Sequence, residues 1–417
     1  MLRLPEELVR EICQRLGPLD IGASRATSKE LKNNTASSFV KTFDTVEIHL
    51  DEPHLDYLNW LSKSTFAGFV RVVHVRPRYK IVPINVWERE GNRQPTDAEL
   101  YIARGDDVRE LARALGSFRN LVCVEVEASP SSALPSSLAE GEDQNSRAVV
   151  KVGGIKLTGI TYAFTAVLRA LAMLQGNGIA VRELRAGTMP NGVVRKSTDH
   201  LSLQLNLYPQ SLSQILGQLQ TLDLVLEVRP GTRGTDCAAL LAQFLAQTNN
   251  LRHVKLSFWH IAGDWLSETF KNVTLPHLQA LKLQAAHDVN FNLLAEFLAR
   301  HKSTLRTLEL KNIIFIDDEL AEAFPALFLS EGFLLRDINL RQLCSRGSGM
   351  LLFGTTLDYI CNACEQDSRA TCCNTTGLGC EHSSLVATKG EVSANEQLKQ
   401  MKMMCTLPWP MRVVQPT

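Results

Sequence analysis

The sequence predicts a mixed α/β chain in three parts: an all-helical segment over residues 1–43, an irregular strand–helix solenoid over 44–343, and a weakly ordered tail over 344–417. Three observations predict it. The first forty residues place their aliphatics on one helical stripe. A spaced aliphatic triplet then recurs along the middle of the chain. Past residue 343 that periodicity is lost and cysteines cluster.

In the first segment, Leu4, Leu8, Ile12, Leu16 and Leu19 follow one another at steps of four and three, which puts them on one face of a helix. Pro5 stands where a first-turn proline is tolerated. Glu6 and Glu7 lie where the helix dipole favours acids, and Gly17-Pro18 ends the helix. Asp20 is placed to cap a second short helix, and Ser28-Lys29-Glu30-Leu31 continues the pattern. About forty residues bury too little surface to be stable alone, so the stripe rests on the rest of the chain or on a partner.

The string LPEELVREICQRLGPLDIGASRATSKEL resembles an F-box through Leu4, Pro5, Glu7, Leu8, Ile12, Leu16, Leu19, Asp20, Ile21, Ser28 and Lys29. Ser37-Ser38-Phe39 is similar to the continuation found in F-box proteins of filamentous fungi. Ser24 and Ala26 depart from the pattern, standing where F-boxes usually carry larger aliphatics. The resemblance implies docking on a Skp1-like adaptor and, through it, a cullin of a ubiquitin ligase. Leu4, Pro5, Leu8, Ile12, Leu16, Leu19 and Asp20 would be the adaptor contacts. The bland alternative is a helical cap on the repeat array.

The middle region carries aliphatic-x-x-aliphatic-x-aliphatic at Phe43/Val46/Ile48, Val70/Val73/Val75, Leu121/Val124/Val126, Val181/Leu184/Ala186 and Leu219/Leu222/Leu224. It returns at Leu251/Val254/Leu256, Leu278/Leu281/Leu283, Leu305/Leu308/Leu310 and Leu335/Ile338/Leu340. Successive starts lie 27, 51, 60, 38, 32, 27, 27 and 30 residues apart, near the period of leucine-rich repeats. Each triplet reads as a short strand with alternating inward residues. The segments 235–247 and 290–300 read as covering helices, as does the stretch after Asp107-Val108-Arg109-Glu110, a capping-box pattern. One strand and one helix cannot close a core, so neighbours must stack. The consensus Asn or Cys after the triplet is mostly missing, which makes these repeats degenerate leucine-rich-like units. Residues 77–105 and the Ser/Pro/Glu-rich 128–148 read as insertions. Arg71, Arg76, Arg78, Lys80, Arg89 and Arg93 form a basic cluster that reads as a solvated face, with a substrate patch as the alternative.

In the tail, Cys361, Cys364, Cys372, Cys373, Cys380 and His382 invite a zinc reading. The first pair has ligand spacing, but adjacent cysteines and a Cys-x-His chelate poorly, so we expect no metal and no cofactor. A short helix is expected near 393–404.

Composition sets the function class. Forty-four basic against 44 acidic residues give zero net charge, which disfavours nucleic acid or an anionic membrane as partner. The most apolar stretch, 160–174, carries Arg169 and is short for a bilayer span. We expect a cytoplasmic and/or nuclear protein with reduced cysteines and unglycosylated Asn33, Asn272 and Asn374. Nucleotide-binding, zinc-protease and serine-hydrolase motifs are absent, and His49, His74, His253, His260, His277 and His301 are scattered. The expectation is not an enzyme but a substrate-recognition receptor of a Skp1–cullin–F-box ligase that binds an unidentified target protein. The alternative is a binding scaffold without a ubiquitin role.

Overall fold

The computed structural model describes residues 11–12, 35–77, 97–127, 149–152, 155–174, 178, 180–188, 213–227, 234–259, 265–316, 327, 333–345, 349–351 and 384–387. The chain divides into two units, residues 1–201 with 206–215, and 202–205 with 216–417.

The first unit contains helix α1 (Ala36–Lys41), strand β1 (Thr45–His49), helix α2 (Glu52–Ser62) and strand β2 (Val72–Arg76). Helices α3 (Asp97–Arg104) and α4 (Asp106–Leu115) then lead to β3 (Cys123–Glu127). An antiparallel hairpin, β4 (Val149–Val152) and β5 (Ile155–Thr158), precedes helix α5 (Gly159–Met173) and strand β6 (Glu183–Thr188). Strands β1, β2, β3 and β6 pair in that order, all parallel. The register aligns Val46, Val73, Val124 and Leu184 in one row and Ile48, Val75, Val126 and Ala186 in the next. All eight are buried, each contributing roughly 1–3 kcal/mol of transfer energy by size. Parallel strands need crossovers, and here helices supply them. Helix α2 packs on α4, and α4 packs on both α3 and α5.

The second unit repeats the plan. It holds β7 (Thr221–Glu227), helix α6 (Gly234–Ala246), β8 (His253–Trp259), helix α7 (Trp265–Lys271), β9 (Ala280–Gln284), helix α8 (Phe291–Arg300), β10 (Thr307–Phe315) and β11 (Asp337–Ser345). The five strands are parallel and consecutive. Leu222, Val254, Leu281, Leu308 and Ile338 form one register row; Leu224, Leu256, Leu283, Leu310 and Leu340 form the other. Asn290 caps α8, its side-chain oxygen accepting the Leu293 N–H at 3.0 Å. In β10, Asn312 takes a positive φ of 55°, a conformation asparagine tolerates. It resets the pleat: Leu308 and Leu310 are buried before it, Ile313 and Phe315 after it.

The second and third residues of every aliphatic triplet expected from the sequence therefore lie on a parallel strand, and the first stands two residues ahead of it. The tail, expected to be weakly ordered, contributes β12 (Gly349–Leu351) and β13 (Ser384–Ala387), each antiparallel to β11. Part of the 77–105 insertion is helix α3. Residues 128–148 and 393–404 and the clustered Cys361, Cys364, Cys372, Cys373, Cys380 and His382 lie outside the described residues.

The capping box at Asp107 is corrected. Helix α4 starts two residues earlier than that cap implies, at Asp106 after Gly105 at φ 67° and without a side-chain cap. Asp107 sits inside the first turn and is fully buried. Its Oδ2 accepts the Tyr162 hydroxyl of α5, while Oδ1 has no hydrogen-bond partner among the described residues. Burial pushes its carboxyl above the ordinary range, against the Tyr162 hydrogen bond. The glycine takes the left-handed position that lets the chain turn from α3 into α4, and it brings no capping side chain.

Candidate functional site

Two surfaces bear on function: the N-terminal stripe and the polar side of the parallel strands. Of the expected adaptor contacts, Leu4, Pro5, Leu8, Leu16, Leu19 and Asp20 lie outside the described residues. Ile12 is helical and 47% exposed.

The segment that follows is anchored by three aromatics. Phe39 of α1 meets Phe43 edge-on at 5.2 Å and Phe66 edge-on at 5.6 Å. Phe43 and Phe66 stack at 4.5 Å. Such pairs add about 0.5–1.5 kcal/mol each beyond area burial. They tie α1 to the start of β1 and to the loop ahead of β2. On α2, Tyr57 and Trp60 stack at 5.9 Å while 43% and 59% exposed.

The polar side of the first sheet carries a charge network, built because alternate strand residues share a face. His74 Nδ1 lies 2.8 Å from Glu127 Oε1, and Nε2 lies 3.7 Å from Glu125. Arg76 Nε donates to Glu127 at 2.7 Å, and the same guanidinium pairs with Glu47. Arg185 pairs with Glu183 at 2.6 Å and approaches Glu125 at 3.8 Å. The Glu127 hydrogen bond raises the His74 pKa, against the opposing effect of burial. In return the His74 hydrogen bond, aided by Arg76, lowers Glu127. Sequence reading had left His74 as one scattered histidine and Arg76 as part of a solvated cluster. The signal available was their position at alternate sites of one triplet strand.

In the second unit the same side carries separate pairs. Lys255 reaches Asp223 at 2.9 Å and Lys282 reaches Glu309 at 3.1 Å. Neither described free cysteine offers a nucleophile. Burial pushes the Cys123 thiol up to about 12, and burial likewise raises Cys344. His301 is a satisfied core residue: its Nε2 accepts the Leu275 N–H at 2.9 Å and its Nδ1 lies 2.7 Å from the Phe297 carbonyl. Among the described residues no group of three His, Cys, Asp or Glu could hold a metal ion, and no helix is long and apolar enough to cross a membrane. The described polar side thus offers charges fixed on neighbouring parallel strands.

Residues 1–38 match the family model of the F-box domain. The chain carries an F-box domain at its N-terminus. F-box domains typically bind Skp1 within Skp1–cullin–F-box complexes, and F-box proteins are generally adaptors rather than enzymes. The domain thus suggests a role in ubiquitin-ligase substrate recognition. No curated protein matches the chain.

Proposed function

We propose that this chain is the substrate receptor of an SCF-type ubiquitin ligase. Residues 1–43 hold a Skp1-like adaptor through Leu4, Pro5, Leu8, Ile12, Leu16, Leu19 and Asp20, and the adaptor brings the cullin. Residues 44–343, a degenerate leucine-rich-repeat-like region, hold a target protein on the polar strand side. The chain then works by proximity, presenting a target lysine to a ubiquitin-loaded enzyme, and needs neither cofactor nor catalytic residue of its own. Its setting would be cytoplasmic and/or nuclear.

The observation that carries this reading is the F-box match at residues 1–38. The strand platform supports it: parallel strands hold the Glu47, His74, Arg76 and Glu127 side chains on one rigid face, as a protein-binding surface requires. Co-purification tests it. The full chain should recover adaptor and cullin. Changing Leu8 and Ile12 together to Ala should cost at least about 2 kcal/mol, or roughly thirtyfold in adaptor affinity. Failure of the full chain to recover adaptor and cullin would leave a binding scaffold without a ubiquitin role as the better reading, and an unaltered adaptor yield from the double variant would remove the stripe as the adaptor contact.

A further inference from the structure

Where the parallel strands of the first unit begin, a cavity of about 510 Å³ opens beside α1. Among the described residues its charged lining is Lys41, Asp44, Arg71, Arg119 and Arg182, four cations against one carboxylate. The repeat builds this arrangement. The Asp44 carbonyl accepts the N–H groups of Arg71 and Val72, the Arg71 carbonyl those of Val122 and Cys123, and the Val122 carbonyl those of Arg182 and Glu183. Asp44, Arg71, Val122 and Arg182 are thus equivalent positions on neighbouring strands, which stand about 4.8 Å apart. Arg119 joins them from the turn after α4. That turn is fastened where Asn120 Nδ2 donates to the Gly68 carbonyl at 2.5 Å.

Among the described residues the positive charge there is largely uncompensated. Arg71 lies 3.9 Å from Asp44. Among the described residues Lys41, Arg119 and Arg182 have no acidic partner. The backbone N–H groups of Arg71, Val122 and Arg182 are used by the strand ladder, so Arg71 and Arg182 can recognise a ligand only through their side chains. Arg71 and Arg182 lie two strands apart, roughly 10 Å at the backbone. One phosphate fills a single guanidinium fork, whereas linked phosphoryl groups can engage several of these cations together.

We propose that this cavity binds a compact anion carrying two or more phosphoryl groups, held by Lys41, Arg71, Arg119 and Arg182. Its volume is that of a small-ligand site. Phe69, 43% exposed, adds an aromatic wall beside the charges. The site is separate from the adaptor stripe and stands or falls independently of it.

Calorimetric titration of the full chain at fixed ionic strength tests this with tripolyphosphate, pyrophosphate and sulfate as probes. Tripolyphosphate should bind more tightly than pyrophosphate and at least tenfold more tightly than sulfate. The pair Arg119→Gln and Arg182→Gln should weaken tripolyphosphate tenfold or more without moving the melting temperature. Arg252→Gln, at the equivalent strand position in the second unit, should leave binding as it was. Equal affinity for sulfate and tripolyphosphate, or full binding by the double variant, would overturn the proposal. If the double variant fails to fold, the exposed Lys41→Gln decides: a loss of threefold or more supports the site, and no loss removes it. A peptide with two phosphoserines serves as a further arm. Its binding tenfold tighter than tripolyphosphate would overturn the assignment to a small free anion.

Discussion

In the second unit the strand triplets follow one another at 32, 27, 27 and 30 residues, while in the first the steps are 27, 51 and 60. Yet both units lay their buried strand residues in unbroken register rows. The surplus residues of the first unit go elsewhere: into the α3–α4 pair, the β4–β5 hairpin and the long buried helix α5. The strand side obeys a strict rule because a one-residue slip would turn every buried side chain outward. The crossover side has no such period, so its length can vary. The irregularity has a consequence in the core. The first unit buries Asp107 with one oxygen unpartnered among the described residues, whereas the buried His301 of the second has contacts at both ring nitrogens.

The largest effect should come from the shared rule. Leu281 is fully buried between Val254 and Leu308 in register, and Val124 is its counterpart between Val73 and Leu184. Leu281→Asp or Val124→Asp should each cost more than about 4 kcal/mol by leaving an unpaired charge in a continuous core. Denaturant melts followed by two probes would read it. A mild loss in the first unit only would show that its rows bear less of the fold.

The irregular core should respond next. Tyr162→Phe removes the hydroxyl that Asp107 accepts, and should cost about 1–3 kcal/mol. No measurable loss would mean that the buried carboxyl is held by its backbone surroundings instead.

The polar network gives a smaller effect with a defined pH window. The folded pKa of His74 lies above its ordinary 6.5, so its contribution is full below 6.5 and fades as pH rises through the raised value. The folded pKa of Glu127 lies below its ordinary 4.5, so its contribution is full above 4.5 and fades as pH falls through the lowered value. The pair should therefore stabilise most between those limits. His74→Gln should flatten the alkaline limb and cost about 1 kcal/mol near pH 6, as thermal melts across pH would show.

The smallest effect belongs to the second unit's isolated pairs. Lys282→Ala removes a half-exposed partner of Glu309 and should shift stability by less than about 0.5 kcal/mol. A loss as large as that of His74→Gln would erase the contrast between network and pair.

By itself the sequence determined the strands. Val46, Val73, Val124 and Leu184 are legible because a strand buries every second residue, a local period that neighbours repeat. For the N-terminal stripe it sets an expectation alone, since Leu4, Leu8, Ile12 and Leu16 follow helical spacing. What it did not determine was whatever depends on residues far apart in the chain. The Asp107 pattern mimicked a cap, and only the packing of α4 against α5 made it a buried acceptor for Tyr162. His74 and Glu127 are 53 residues apart, and they meet because β2 and β3 pair in register. The cavity beside α1 likewise gathers Lys41, Arg71, Arg119 and Arg182 from four separate stretches of chain. Periodicity encodes which side chains leave water. Which charges then stand together follows from register, and register is settled only when the strands are stacked.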